Sequence, residues 1–155
     1  MRKPFYLEFE LLSDFGYLPF LTRLFPSWKI SKASALTQIL VEAFNNAVIH
    51  AHGLDKKKWV GLRLKLYPKK TRVEVIDQGR GFSLKRFSKN PKRLATRGRG
   101  LLLIQAYADK VSTRKKGGRH IFQATIYRGS RRPLHRQSRM EPPPQRRFAT
   151  SGKVP

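Results

Sequence analysis

Leu36-Thr37-Gln38-Ile39-Leu40-Val41-Glu42-Ala43-Phe44-Asn45-Asn46-Ala47-Val48-Ile49-His50-Ala51 puts Leu36, Leu40, Ala43, Phe44, Ala47, Val48 and Ala51 on one side of a helical wheel. The spacing predicts the strongest helix of the chain over 36–51. Glu42, Asn46 and His50 stand at i, i+4 and i+8, a polar stripe at the rim of the apolar face. From Ala33 to Asp55 there is no Lys or Arg, although 34 of the 155 residues are basic, so cations are excluded from this helix. A carboxylate and an amide oxygen one turn apart suit a hard divalent cation held by Asn46. Glu42 is then near enough to take a proton from a hydroxyl or water. A solvated helix face carries the same spacing, so the stripe alone leaves both meanings open. His50 and His52 supply two imidazoles, short of the ligand set of a zinc site.

Outward from this helix, Phe5, Leu7, Phe9 and Leu11 alternate with Tyr6, Glu8 and Glu10, which predicts a strand with one buried face. Phe15 to Phe25 predicts a short helix stopped by Pro26, and Ser31 or Ser34 is the expected cap of the helix that follows. Val60, Leu62, Leu64 and Leu66 alternate with polar residues and glycine. Pro68-Lys69-Lys70 then turns the chain, and Val73 and Val75 resume the alternation before Asp77, a hairpin. Leu101 to Ala108 predicts a second helix after Gly98-Arg99-Gly100, and Ile121 to Tyr127 a last strand after the turn Gly117-Gly118. These elements predict an α+β two-layer sandwich, a mixed, mostly antiparallel sheet covered on one face by helices.

A chain of 155 residues with 39% hydrophobic content builds one modest core, which argues against a multidomain enzyme. The formal charge of +25 favours polyanionic partners: nucleotide, nucleic acid or acidic protein. Residues 129–155 hold seven Lys or Arg and one Glu, about +6, which leaves about +19 on the first 128. That tail also carries Pro133, Pro142, Pro143, Pro144 and Pro155 and few aliphatics, so a folded domain over 1–128 and a disordered basic tail over 129–155 are expected. Without cysteine there is no disulfide, iron–sulfur cluster or Cys-ligated zinc. Glu8 and Glu10 interrupt the first apolar run, which spoils a signal-peptide core; a soluble, cytoplasmic protein without membrane partners is expected.

Two glycine clusters add chemistry. Asp77-Gln78-Gly79-Arg80-Gly81-Phe82 follows a strand, where the carboxylate can accept from an exocyclic amine and the glycines let backbone approach a flat ring. Thr96-Arg97-Gly98-Arg99-Gly100-Leu101 runs into a helix, offering bare N–H groups and the positive helix end to an anion. Neither cluster is a Walker loop or a dinucleotide fingerprint.

In this order, E-x-x-x-N-x-x-x-H on a helix, D-x-G-x-G after a strand and G-x-G before a helix resemble the GHKL nucleotide-binding fold, the Bergerat-type ATP fold of histidine kinases, heat-shock chaperones, mismatch-repair proteins and type II topoisomerases. Glu42 to His50 and Gly98 to Leu101 look like the boxes of the small bacterial anti-sigma-factor serine/threonine kinases, and the resemblance covers about residues 5–128. It implies ATP and Mg²⁺ as cofactors. Glu42 would be the catalytic base and Asn46 the Mg²⁺ and ATP ligand, with His50 beside them. Asp77 would read the adenine amine in a pocket shaped by Gly79 and Gly81, and Arg97, Gly98, Arg99, Gly100 and Leu101 would line the phosphates. Ser83 to Arg97, with Lys85, Arg86, Lys89, Lys92 and Arg93 and no acid, matches the position of a lid over the triphosphate.

The resemblance further implies a STAS-type antagonist protein as substrate, a sigma factor as possible cargo, and a homodimer. One departure stands out: after Gly117-Gly118, Arg119-His120 replaces the threonine usual in these kinases, which would bring a cation near the phosphates. Three functions remain in play: a protein serine kinase, a non-catalytic ATP/ADP-gated switch, and a basic protein that binds nucleic acid, for which only nonspecific attraction is expected.

Overall fold

The structure is a computed structural model that describes residues 4–28, 30–81 and 99–129. Apolar alternation organises five strands, β1 (Phe5–Leu12), β2 (Trp59–Leu66), β3 (Lys70–Asp77), β4 (Lys110–Lys116) and β5 (Arg119–Tyr127), in the order β1-β2-β3-β5-β4. Every pairing among them is antiparallel, so the sheet is not mixed within the described residues. Register aligns Leu7 with Leu64, Leu64 with Val73 and Val73 with Ala124, which gathers the apolar side chains of four strands on one face.

Onto that face pack α1 (Leu18–Ser27), α2 (Ala33–Asn46) and α3 (Arg99–Tyr107). Phe25, Phe44, Ile39, Leu40 and Ile104 from the helices and Val60, Leu62, Leu64 and Val73 from the strands are fully excluded from water. Among the described residues no helix packs on the opposite face, where Glu74, Ile76, Ile121 and Thr125 are nonetheless buried. The result is the α+β two-layer sandwich expected from the sequence.

Details differ for physical reasons. Pro26 lies inside α1, in its last turn, and Pro19 occupies its first, where a missing N–H leaves no helical bond unmade. Neither Ser31 nor Ser34 caps α2. Lys32 holds the cap position at φ 61 without a side-chain cap hydrogen bond, and its ammonium donates instead to the Tyr127 carbonyl at 2.9 Å. The regular helix ends at Asn46 and passes into a π turn, Ala47–Ala51. Strand β4, Lys-Val-Ser-Thr-Arg-Lys-Lys, lacks the apolar alternation that marks the others because it is the sheet edge and half-buried at best. Among the described residues no helix is long and apolar enough to cross a membrane. Of the basic tail only Gly129 belongs to the described residues.

Phe44 stands at the centre of the helix-to-sheet contact with no exposed surface. Phe44→Ala should lower the free energy of unfolding by about 3–5 kcal/mol in a denaturant titration.

Candidate functional site

Where α2 ends, the backbone widens: His52 N–H donates to the Ala47 carbonyl five residues back at 2.9 Å, and Leu54 N–H to Val48 at 2.9 Å. The wider turn changes the side-chain period. Glu42 and Asn46 stay half-buried at the rim of α2, as the i, i+4 spacing required. His50 falls on the π turn and is exposed, off the stripe that an unbroken helix would have continued. The turn instead carries Ala51 and His52 inward.

The inward residues meet the end of β3. Asp77 is 5% exposed and its two oxygens are engaged: Oδ1 accepts from Gly79 N–H at 2.8 Å, and Oδ2 from His120 Nδ1 at 3.0 Å. Gln78 N–H donates to Nε2 of His52, 3.2 Å away. A β-carbon on Gly79 would stand 2.6 Å from the Ala51 β-carbon and 2.8 Å from its α-carbon, so only glycine fits between the turn and the carboxylate. Gly81 has φ +73, and a β-carbon there would meet the His120 ring at 2.6 Å. The Asp77–Gly81 loop is thus clamped between the wide turn and an imidazole.

Because His52 accepts through Nε2, its proton sits on Nδ1, which has no hydrogen-bond partner among the described residues. Burial pushes the His52 pKa down, opposed by the nearby Asp77 and Asp55 carboxylates and assisted by Lys58. A neutral ring is what the Gln78 bond requires, since an imidazolium would offer that N–H a second donor.

Helix α3 completes the arrangement. At Gly100 a β-carbon would lie 2.4 Å from Oε2 of Glu42, so the acid of α2 rests directly on the first turn of α3. The N–H groups of that turn have no carbonyl within the helix to bond, and the positive end of the dipole points the same way. Leu101 buries its side chain in the core at 4% exposure, which leaves its backbone as the part able to meet a ligand; Arg99 is exposed. Arg97, Gly98 and the basic segment Ser83 to Arg97 lie outside the described residues.

Glu42, Asp77, Gly79, Gly81 and Gly100 are thereby tied to one end of the helix-covered face through α2, the wide turn and β5. Asn46 lies one helical turn from Glu42. Two residues went unrecognised in the sequence as parts of this site. His52 was legible only as one of two histidines close in sequence. His120 was legible as a cation in place of threonine, and it does stand directly opposite Asp77 in the β3–β5 register. Its neighbour Arg119 corrects the expectation of a cation at the phosphates: strand alternation puts it on the open face, where its guanidinium meets Glu10 at 3.6 Å.

Among the described residues no group of three or more His, Cys, Asp or Glu side chains could hold a metal. A cation here would have to be shared between Asn46 and a ligand's own oxygens, the usual situation for Mg²⁺ on phosphates.

The model of a family described as the histidine kinase-like ATPase domain matches residues 21–125, a span that contains all three segments of the site. No curated protein matches the chain.

Two outcomes follow from the clamp. Gly79→Ala should destabilise the fold by about 1–3 kcal/mol, because the obstacle is backbone as well as side chain. A histidine whose pKa is lowered on folding binds its proton less readily folded than unfolded, so its contribution to stability is complete above the ordinary value of 6.5 and is lost as pH falls below it. His52→Gln should flatten the acid side of the melting-temperature profile between pH 7 and 5, measured by circular dichroism.

Proposed function

The chain belongs to the histidine kinase-like ATPase family and is an ATP-binding domain, and from that premise we propose that it is a protein serine/threonine kinase of the anti-sigma regulatory type. Its substrate would be a serine on a STAS-type antagonist protein, with a sigma factor as the sequestered partner. The observation that carries this reading is the placement of the Glu42 carboxylate on Gly100, at the N-terminal end of α3. Phosphoryl transfer needs an acceptor for the hydroxyl proton beside a site that binds phosphate. A carboxylate on the first turn of a helix that presents bare N–H groups meets both needs.

In this proposal Glu42 accepts the serine proton and orients the hydroxyl. Asn46 would supply a carboxamide oxygen to Mg²⁺, and the metal when bound neutralises charge on the phosphates. Gly98, Gly100 and the Leu101 backbone lie along the phosphates, with Arg97 and Arg99 as the adjoining cations. Asp77 accepts from the adenine amine, with Gly79 and Gly81 shaping that pocket. His50, exposed on the π turn, has the least support of the residues suggested by the resemblance.

One observation favours a second reading, an ATP/ADP-gated switch without transfer. Both Asp77 oxygens already accept hydrogen bonds, one of them from His120, so the adenine amine must share the carboxylate or displace the imidazole. Base binding would then move β5 relative to β3 and alter the surface a partner sees.

The two readings part in one assay. Incubation with Mg²⁺-ATP and a purified STAS-type antagonist should label a serine, and Glu42→Ala should lower the rate by about 10²-fold or more while leaving ATP affinity within a few-fold. Full ATP binding without any labelling would leave the switch. Asn46→Ala should weaken Mg²⁺-ATP in calorimetry but leave adenosine, which has no phosphates, unaffected.

A further inference from the structure

The open face of the sheet carries chemistry that the nucleotide site does not use. Register defines its rows. Glu8, Arg63 and Glu74 align across β1, β2 and β3, and here Glu8 pairs with Arg63 at 2.6 Å and the buried Glu74 with Arg114 at 3.2 Å. Glu10, in the next row toward the Asp77 end, meets Arg119. These pairs consume the three acids of the face.

Toward the other end the composition changes. Tyr6, Lys65, Arg72, Thr125 and Lys110 form one row across all five strands, and Lys70 with Tyr127, flanked by Tyr67, forms the next. Those two rows hold three tyrosines and four cations, and carboxylates reach them at two points: Glu8 accepts from the Tyr6 hydroxyl, and Asp109 accepts from Tyr127 N–H at 2.7 Å. Tyr6 is 48% exposed and Tyr127 42%. Lys65 Nζ lies 5.5 Å from the centre of the Tyr6 ring and Lys70 Nζ 5.1 Å from that of Tyr67, so each ammonium is held beside an aromatic ring. Arg72 keeps a shielded Nε donor with no hydrogen-bond partner among the described residues.

We infer that these two rows bind single-stranded nucleic acid. Bases stack on the tyrosine rings and phosphates meet Lys65, Lys70, Arg72 and Lys110, on strands about 4.8 Å apart. The pairing of rings with cations selects this partner. A duplex hides its base faces, an acidic peptide would use the cations and leave the rings idle, and a second copy would set like charges against each other. The site lies on the face opposite Asp77 and Gly100, so it does not depend on the kinase reading.

The test is fluorescence anisotropy of the full chain with a labelled oligothymidylate. A duplex of equal length and polyglutamate serve as competitors, across a salt series. The expected result is preference for the single strand, unchanged by saturating ATP. Tyr6→Leu with Tyr67→Leu should cost roughly tenfold or more in affinity at an unchanged salt slope. Lys65→Gln with Arg72→Gln should reduce the slope by roughly 0.7 per charge. Tyr127→Leu repeats the aromatic test should the double variant melt early. If duplex or polyglutamate competes equally well, or if the tyrosine and cation variants all bind like the parent chain, the assignment to this face is overturned, and the attraction belongs to charge elsewhere on the chain.

Discussion

Two close approaches, in which a glycine occupies space that no side chain could share, govern how the site is built. Gly79 lies against Ala51, and Gly100 lies against Glu42. The first brings the wide turn after α2 onto the end of β3; the second brings α3 onto α2. The hydrophobic effect presses the helices to the sheet without specifying position to within an ångström. The glycines convert that pressure into a defined juxtaposition of a carboxylate, a helix N-terminus and a loop, because packing density leaves no slack once a side chain is absent.

The sheet separates two electrostatic tasks by its pleat. On the helix-covered side, Asp77 and His120 face each other across β3 and β5 at low exposure, with the carboxylate satisfied on both oxygens. A buried acid without such partners would be costly, and paired it fixes the loop that follows. On the open side, Glu74 is equally buried beneath Arg63 and Arg114, and Arg119 meets Glu10. Arg119 and His120, adjacent in sequence, serve opposite faces. The basic excess of the chain therefore does not converge on the nucleotide end within the described residues; a full share of it stands on the tyrosine-bearing rows.

The fold was legible wherever burial imposed a period. Phe5 to Leu11, Val60 to Leu66 and the 36–51 helix announce themselves because one face of each must be apolar. Strand β4 did not, since an edge strand has little apolar requirement to betray it. Glu42 and Asn46 were legible from their spacing, as was Asp77 from its place before the glycines. His50 stands exposed on the π turn, which spacing did not foresee because it assumes an unbroken α-helix and nothing local announces a π turn. His52 and His120 act through tertiary contacts 26 and 43 residues away in sequence. No local pattern contains such contacts; they appear only once β3 is set against the wide turn and β5.

The most direct test of the central claim is an amide ¹H–¹⁵N spectrum of the labelled chain titrated with Mg²⁺-ATP. The account predicts saturable shifts concentrated at Gln78, Gly79, Gly81, Gly100 and Leu101, with the amides of Tyr6, Lys65 and Tyr127 left in place. Shifts confined to the open face, or none at concentrations that saturate a family ATP site, would contradict it.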